Sequence, residues 1–149
     1  MVAPNVATSH VDTFAQDRLP PRQAWPVFQF NDDTRYPARL NAAVELLDRH
    51  VEAGNGARVA VRHERGGRIE TVTYAQLAAL VNRIAHVLVT DMGLVPGNRV
   101  LLRGPNNLMM AASWLATLKA GLIAVPTMPL LRAKELRQII DKAQVSAAL

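Results

Sequence analysis

The sequence predicts an α/β fold in which a mostly parallel sheet is flanked by helices, and three observations support this prediction. Short strand patterns alternate with helix patterns from about residue 58 onward, an order typical of strand–helix–strand units. The later strand patterns are apolar throughout their middle, as expected of strands that helices cover on both faces. Glycines and prolines mark the boundaries between patterns. This order indicates right-handed crossovers, with helices on both faces of the sheet.

The composition is that of a folded chain, and it excludes several classes of function. Half of the 149 residues are apolar and 19% are charged, which is globular composition. Cysteine is absent, which excludes disulfides, thiolate zinc sites and cysteine nucleophiles and favours a cytoplasmic location. The formal charge is +5, but the arginines are spread singly, so we expect no nucleic-acid partner. The most apolar window, residues 108–131, contains two prolines, a glycine and a lysine, and we therefore expect no membrane span.

Residues 1–37 form the first of two predicted regions, an extended arm that precedes the α/β part at residues 38–149. This region is rich in proline and holds most of the aromatic residues. Prolines at this density prevent regular helix, and large rings need a dry surface, so we expect an ordered arm that lies across a surface. A mobile leader over residues 1–12 is the alternative. The aromatic residues of the arm are Phe14, Trp25, Phe28, Phe30 and Tyr36.

The α/β part begins with a predicted helix that starts near residue 40 and ends at Gly54-Asn55-Gly56. Its apolar residues form one stripe, and Glu45 can pair with Arg49 one turn later. After this helix, Gly66-Gly67 separates two short strand patterns, since adjacent glycines supply the positive φ angles of a tight hairpin. The stripe consists of Leu40, Val44, Leu47 and Val51, and the two strands are residues 58–63 and 69–73.

Two further helices surround a central strand. Thr73 and Gln76 form the Thr-x-x-Gln pattern that caps a helix running to about Gly93. A strand at residues 99–103 leads to Asn107, which we expect to cap the next helix. That helix is apolar nearly all round, so we expect it to be covered on more than one side. The side chains expected in the core for this reason are Met109, Met110 and Trp114.

The alternation of strands and helices is incomplete at the end of the sequence. A strand at residues 122–125 and an amphipathic helix from about Arg132 are followed by a strand that has only started at residues 145–149. Because strands of a parallel sheet are buried on both faces, we expect that the elements which would pack around this last strand are missing from the chain. The open sheet would then pair with the remainder of the same polypeptide, or with itself in a homodimer.

No arrangement of reactive side chains is recognisable in the sequence. It lacks a Gly-x-Gly-x-x-Gly segment after a strand and a Gly-Lys-Ser/Thr phosphate loop. Its histidines and serines lack the spacing of a metal site or a nucleophile. We therefore expect no catalytic residue and no metal site here. The loop at residues 104–107 lies where open α/β sheets bind ligands, but a plain turn with an asparagine cap is the favoured interpretation.

Three segments resemble, in order and spacing, motifs of the adenylate-forming enzymes, the superfamily of acyl-CoA synthetases, peptide-synthetase adenylation domains and luciferase. Residues 71–77 (TVTYAQL) resemble their first motif, and residues 118–126 (LKAGLIAVP) resemble their second. Between them, residues 93–100 (GLVPGNRV) resemble the entry to the intervening strand. The resemblance implies an N-terminal subdomain of an enzyme that uses ATP, CoA and Mg²⁺.

Within that superfamily, residues 99–107 and 127–136 look most like the aryl-CoA ligases, in particular those of 2-aminobenzoate and benzoate. Residues 19–26 and 35–41 are similar to the leader of the same group. Such enzymes join ATP to a carboxylate, release pyrophosphate to leave an acyl-adenylate, and transfer the acyl group to the CoA thiol. The resemblance therefore implies an aromatic carboxylic acid as substrate.

The resemblance also implies a binding role for Thr127, Met128 and Pro129, because in relatives the loop after the second motif lies close to the pantetheine tunnel of CoA. A simple turn is the alternative at these residues. In a complete enzyme the phosphate loop, the acid pocket and the catalytic lysine lie beyond residue 149, so we expect this chain alone to be inactive and to bind no cofactor tightly. A free-standing α/β binding or interaction module is the alternative to an N-terminal part of a ligase.

Overall fold

The computed structural model describes residues 8–27, 37 and 39–149. Of the aromatic residues in the predicted arm it covers Phe14 and Trp25, whereas Phe28, Phe30 and Tyr36 lie outside the described residues. The described part of the arm contains two short 3₁₀ turns, Gln16–Arg18 and Arg22–Ala24.

The first helical segment spans residues 42–55 and confirms the helix predicted there. Leu47 of the predicted stripe is buried, whereas Leu40 precedes the helix and is 44% exposed. The predicted pair forms, with 2.6 Å between a nitrogen of Arg49 and an oxygen of Glu45. Two stretches of the segment, Val44–Asp48 and Val51–Asn55, are π-helical.

Strands β1 (Val59–Arg65) and β2 (Arg68–Thr73) form the predicted antiparallel hairpin. Gly66 and Gly67 make the two-residue turn, with φ angles of 58° and 79°. Both angles lie in the left-handed region that this turn requires and that glycine adopts without steric cost. The hairpin is a separate two-stranded sheet and does not join the parallel sheet that follows.

Helix α1 (Tyr74–His86) begins at the predicted capping box. The backbone N–H of Gln76 donates to Thr73 Oγ1 at 3.3 Å, and the backbone N–H of Thr73 donates to Gln76 Oε1 at 2.9 Å. Two amides that the helix leaves without partners are thereby satisfied. A further helical turn, Val87–Asp91, continues α1 to its predicted end near Gly93, whose φ is 64°.

A three-stranded parallel sheet follows, made of β3 (Arg99–Arg103), β4 (Ile123–Thr127) and β5 (Ala147–Ala148) in the order β4-β3-β5. Helix α2 (Leu108–Lys119) connects β3 to β4, and helix α3 (Ala133–Ala143) connects β4 to β5. Since such crossovers are right-handed, connections that leave in opposite directions along the sheet put α2 and α3 on opposite faces. The α/β class with a parallel sheet and flanking helices is confirmed.

The hydrophobic core lies between the sheet and the helices α1 and α2. Val100 and Leu102 are buried in this cluster, while Leu101 is buried but lies outside it, because successive residues of a strand face opposite sides. Ala112 and Ala116 of α2 are fully buried, and their small side chains let the helix approach its neighbours closely.

The outer side of α2 is exposed, so the prediction that Met109 and Trp114 belong to the core is wrong. Met109 is 51% exposed and Trp114 is 39% exposed. The elements that pack extensively on α2 are α1, β3 and β4, and they cover only part of its apolar circumference. Met110 packs partly against the core. Despite this apolar character, no helix within the described ranges has the length and apolarity needed to cross a bilayer.

Part of the predicted arm lies against the turn that precedes β3. The backbone N–H groups of Val11 and Asp12 both donate to the carbonyl of Pro96 at 2.9 Å. The carboxylate of Asp12 also accepts a hydrogen bond from Asn98 Nδ2 at 2.8 Å. This turn contains Gly97, whose φ of 93° excludes most other residues.

Arg99, the first residue of β3, connects the arm, the sheet and α3. It is 6% exposed, and its guanidinium group pairs with the carboxylate of Asp12 and lies over the ring of Phe14. Its Nε donates to the carbonyl of Ala143 at 2.9 Å, and its Nη2 donates to that of Gln144 at 2.7 Å. The buried cation therefore satisfies the last carbonyls of α3 while it holds the arm.

We expect the stability of the chain to fall in acid as Asp12 becomes protonated. The hydrogen bond from Arg99 holds the pKa of Asp12 below its ordinary value. Since the pKa is lower in the folded chain than in the unfolded chain, the stabilisation is present above the unfolded pKa of about 3.9 and is lost as the pH falls through the folded value. Urea unfolding at several pH values checks this expectation. Below about pH 4 the free energy of unfolding of the native chain should fall more steeply with decreasing pH than that of Asp12→Asn. Equal pH dependence of the two chains would contradict a stabilising role of the Asp12 carboxylate.

Candidate functional site

The candidate site is the crevice at the carboxyl ends of β3 and β4. The chain leaves β3 through α2 toward β4, and it leaves β4 through α3 back across β3 toward β5. Ligands of open parallel sheets bind outside the carboxyl ends of the strands. A loop at residues 104–107 borders the crevice on the β3 side, and a turn at residues 128–131 borders it on the β4 side.

The loop at residues 104–107 is organised around the start of α2. Asn107 Oδ1 accepts a hydrogen bond from the backbone N–H of Met110 at 2.9 Å, which confirms the predicted cap. A side chain at Gly104 would bring its Cβ to 3.2 Å from the terminal methyl of Met110. The side chain of Asn107 is therefore engaged in helix capping, which agrees with the plain-turn interpretation of this loop.

The three residues predicted to bind CoA lie together at the end of β4. Thr127 is the last residue of the strand, and its hydroxyl donates to the carbonyl of Leu102 at 3.2 Å. Met128 is 65% exposed, and Pro129 is also exposed. The backbone N–H of Leu131 donates to the carbonyl of Met128 at 3.2 Å, which closes a four-residue turn with a proline at its second position. The hydroxyl of Thr127 is thus engaged in a hydrogen bond within the sheet, while Met128 and Pro129 form an exposed rim of the crevice.

Arg103 spans the crevice, and the sequence patterns did not single it out. It is the last residue of β3 and is paired with Thr127 in the register of the sheet. Its Nη2 donates to the carbonyl of Pro129 at 2.7 Å and to that of Leu131 at 3.0 Å. The sequence feature that could have identified Arg103 is a cationic residue at the end of an otherwise apolar strand, at the edge of the sheet where ligands bind.

The described residues at the crevice supply no set of acid–base groups. The carboxyl group with a lowered pKa, Asp12, lies at the amino end of β3 beside Arg99, away from the crevice. No group of three or more histidine, aspartate or glutamate side chains that could hold a metal ion occurs among the residues described. The groups at this edge are the guanidinium group of Arg103, the backbone carbonyls that it binds, and the exposed side chains of the turn.

Comparison of the sequence with known proteins identifies a family and relatives of this chain. Residues 47–149 match the family described as AMP-binding enzyme. An acetyl-coenzyme A synthetase from Mycolicibacterium smegmatis is 35% identical over 113 residues, which cover 74% of this chain and 12% of the relative. The chain thus spans about an eighth of the length of that relative.

Solved structures match the fold over most of the chain. MatB from Rhodopseudomonas palustris, in its apo form, is 27% identical with a TM-score of 0.64, over 72% of this chain and 20% of that one. The anthranilate CoA ligase AuaEII, in complex with anthranoyl-AMP, is 23% identical with a TM-score of 0.64, over 76% of this chain and 20% of that one. The matched fold is the N-terminal subdomain of adenylate-forming enzymes.

Proposed function

Because the chain belongs to the family of AMP-binding enzymes, we propose that the protein containing it is an ATP-dependent acid–CoA ligase for an aromatic acid of the 2-aminobenzoate class. In this reaction a carboxylate oxygen attacks the α-phosphorus of ATP, and pyrophosphate leaves. The thiol sulfur of CoA then attacks the acyl carbon of the acyl-adenylate, and AMP leaves. The family match over residues 47–149 is the observation that carries the adenylation step of the proposal.

In this proposal the chain contributes structure and part of the CoA-binding surface rather than reacting groups. The crevice between β3 and β4 lies where parallel sheets bind ligands, and Met128 and Pro129 form its exposed rim. The thiol arm of CoA combines amide groups with short apolar stretches, which suits a rim of backbone and apolar side chains.

The choice of acid is supported by local resemblance. Residues 99–107 and 127–136 resemble the aryl-CoA ligases, and both segments border the crevice. A sequence relative that is 35% identical is an acetyl-coenzyme A synthetase, which makes acetate the second candidate substrate. Both acids would undergo the same two chemical steps, so the ligase class does not depend on which of them is correct.

Pyrophosphate exchange tests the proposal. With the complete protein, ATP and Mg²⁺, we expect 2-aminobenzoate or benzoate to drive exchange of labelled pyrophosphate into ATP, and addition of CoA to give the corresponding thioester. The 149-residue chain alone serves as the control and should give no exchange, because it contains no phosphate-binding loop. Absence of exchange with every acid would refute the ligase, and preference for acetate would refute the aromatic specificity.

A further inference from the structure

The turn at residues 128–131 has few contacts that define its conformation. Its own hydrogen bond is the one from the N–H of Leu131 to the carbonyl of Met128, at 3.2 Å. Two of its side chains are largely in solvent, with Met128 65% exposed and Leu130 88% exposed. Short exposed turns with little packing open at low free-energy cost. Hydrogen bonds from outside the turn can therefore add to its order.

Arg103 supplies that constraint from the neighbouring strand. One nitrogen of its guanidinium group, Nη2, donates both to Pro129, inside the turn, and to Leu131, at its end. Hydrogen bonds from a cation are about twice as strong as those between neutral groups. The β3–β4 register fixes the origin of this side chain, because Arg103 is paired with Thr127, the residue directly before the turn.

We propose that Arg103 is a positioning residue, which holds the turn at residues 128–131 in the conformation that admits the thiol arm of CoA. The inference rests on the proposed function, since it takes CoA as the ligand of this rim. Arg103 acts through the carbonyls of the turn and does not need to contact CoA. It presents Met128 and Leu130 as an apolar edge over which the thiol arm passes. Loss of Arg103 therefore affects the second step, thioester formation, and leaves adenylation intact.

Steady-state kinetics of the complete protein test this role. For Arg103→Met we expect the KM for CoA to rise about tenfold, because the two hydrogen bonds that are lost are exposed and each contributes less than a buried charge-assisted bond. Pyrophosphate exchange without CoA should keep its native rate. Arg103→Lys should restore part of the loss, because an ammonium group also donates to carbonyl oxygens but is carried by a more flexible side chain. Arg137→Met, at an exposed position of α3, is the matched control and should change neither quantity.

Amide exchange of the 149-residue chain gives a second, independent measurement. In Arg103→Met the N–H of Leu131 should exchange about tenfold faster, since the turn opens more often. Faster exchange with an unchanged KM for CoA would refute the role in CoA binding. Equal losses of adenylation and of thioester formation would show that Arg103 supports the fold in general, which also refutes the proposal. If the unsubstituted complete protein shows no pyrophosphate exchange, the proposed function fails, and unchanged amide exchange separately refutes the positioning by Arg103.

Discussion

Replacement of Arg99 by methionine is expected to lower the free energy of unfolding by about 3–5 kcal/mol, the usual cost of removing one partner from a buried ion pair. The side chain of Arg99 is 7% exposed and that of Asp12 is 25% exposed, so the loss of Arg99 leaves a partly buried carboxylate without its cation. The carbonyls of Ala143 and Gln144, at the end of α3, lose their donors at the same time. Urea unfolding of the native and substituted chains measures the difference.

A surface arginine supplies the control for this measurement. Arg49 is also paired with a carboxylate, that of Glu45, but its side chain is 63% exposed. Exposed pairs of this kind contribute about 0.3–0.5 kcal/mol, so Arg49→Met should change the unfolding free energy only slightly. If Arg99→Met cost no more than Arg49→Met, the network around Arg99 would not stabilise the fold.

The elements that the sequence predicted best are those governed by rules within a few residues. The hairpin at Gly66-Gly67 and the capping box of Thr73 and Gln76 form as expected. In the two-residue turn of the hairpin and in the capping box, the residues that interact are at most three positions apart, so the local sequence contains the complete interaction. The cap at Asn107 belongs to the same class.

The two arginines at the ends of β3 were not predicted, because their partners are distant in sequence. Arg99 pairs with Asp12, 87 positions earlier, and Arg103 donates to carbonyls 26 and 28 positions later. In the sequence both residues look like polar ends of an apolar strand. Only the fold brings the arm, the end of α3 and the turn after β4 to these guanidinium groups.

The error at Met109 and Trp114 has a different physical origin. The pattern correctly showed that α2 is apolar nearly all round, and an apolar helix is normally covered on several sides. Periodicity shows which faces of a helix are apolar. It does not show whether the elements that cover those faces lie within the same 149 residues. The placement of Thr127, Met128 and Pro129 at one crevice agrees with their proposed shared role, but contact with CoA stays a prediction.

The second large effect is expected for Gly97→Ala, which should lower the free energy of unfolding by about 3 kcal/mol. A Cβ at Gly97 would lie 2.1 Å from the backbone oxygen of Asp12 and 2.9 Å from the Cβ of His10. The obstacle at Asp12 is backbone, so it cannot be relieved by a change of side-chain rotamer. The φ of 93° adds strain for any residue that carries a Cβ. The arm must therefore move away from the turn before β3, which also weakens the bonds of Asp12 to Asn98 and Arg99.

Gly93→Ala separates the effect of backbone strain from the effect of the contact. Gly93 also has a positive φ, 64°, but a Cβ there would meet nothing within 4 Å. We expect this control to cost only about 1–2 kcal/mol, the strain of the left-handed conformation. Trypsin should cleave the arm at Arg18 and Arg22 faster in Gly97→Ala than in Gly93→Ala, because only the former displaces residues 10–14. Equal stability losses and equal cleavage rates would mean that the close approach of the arm to Gly97 does not hold the arm in place.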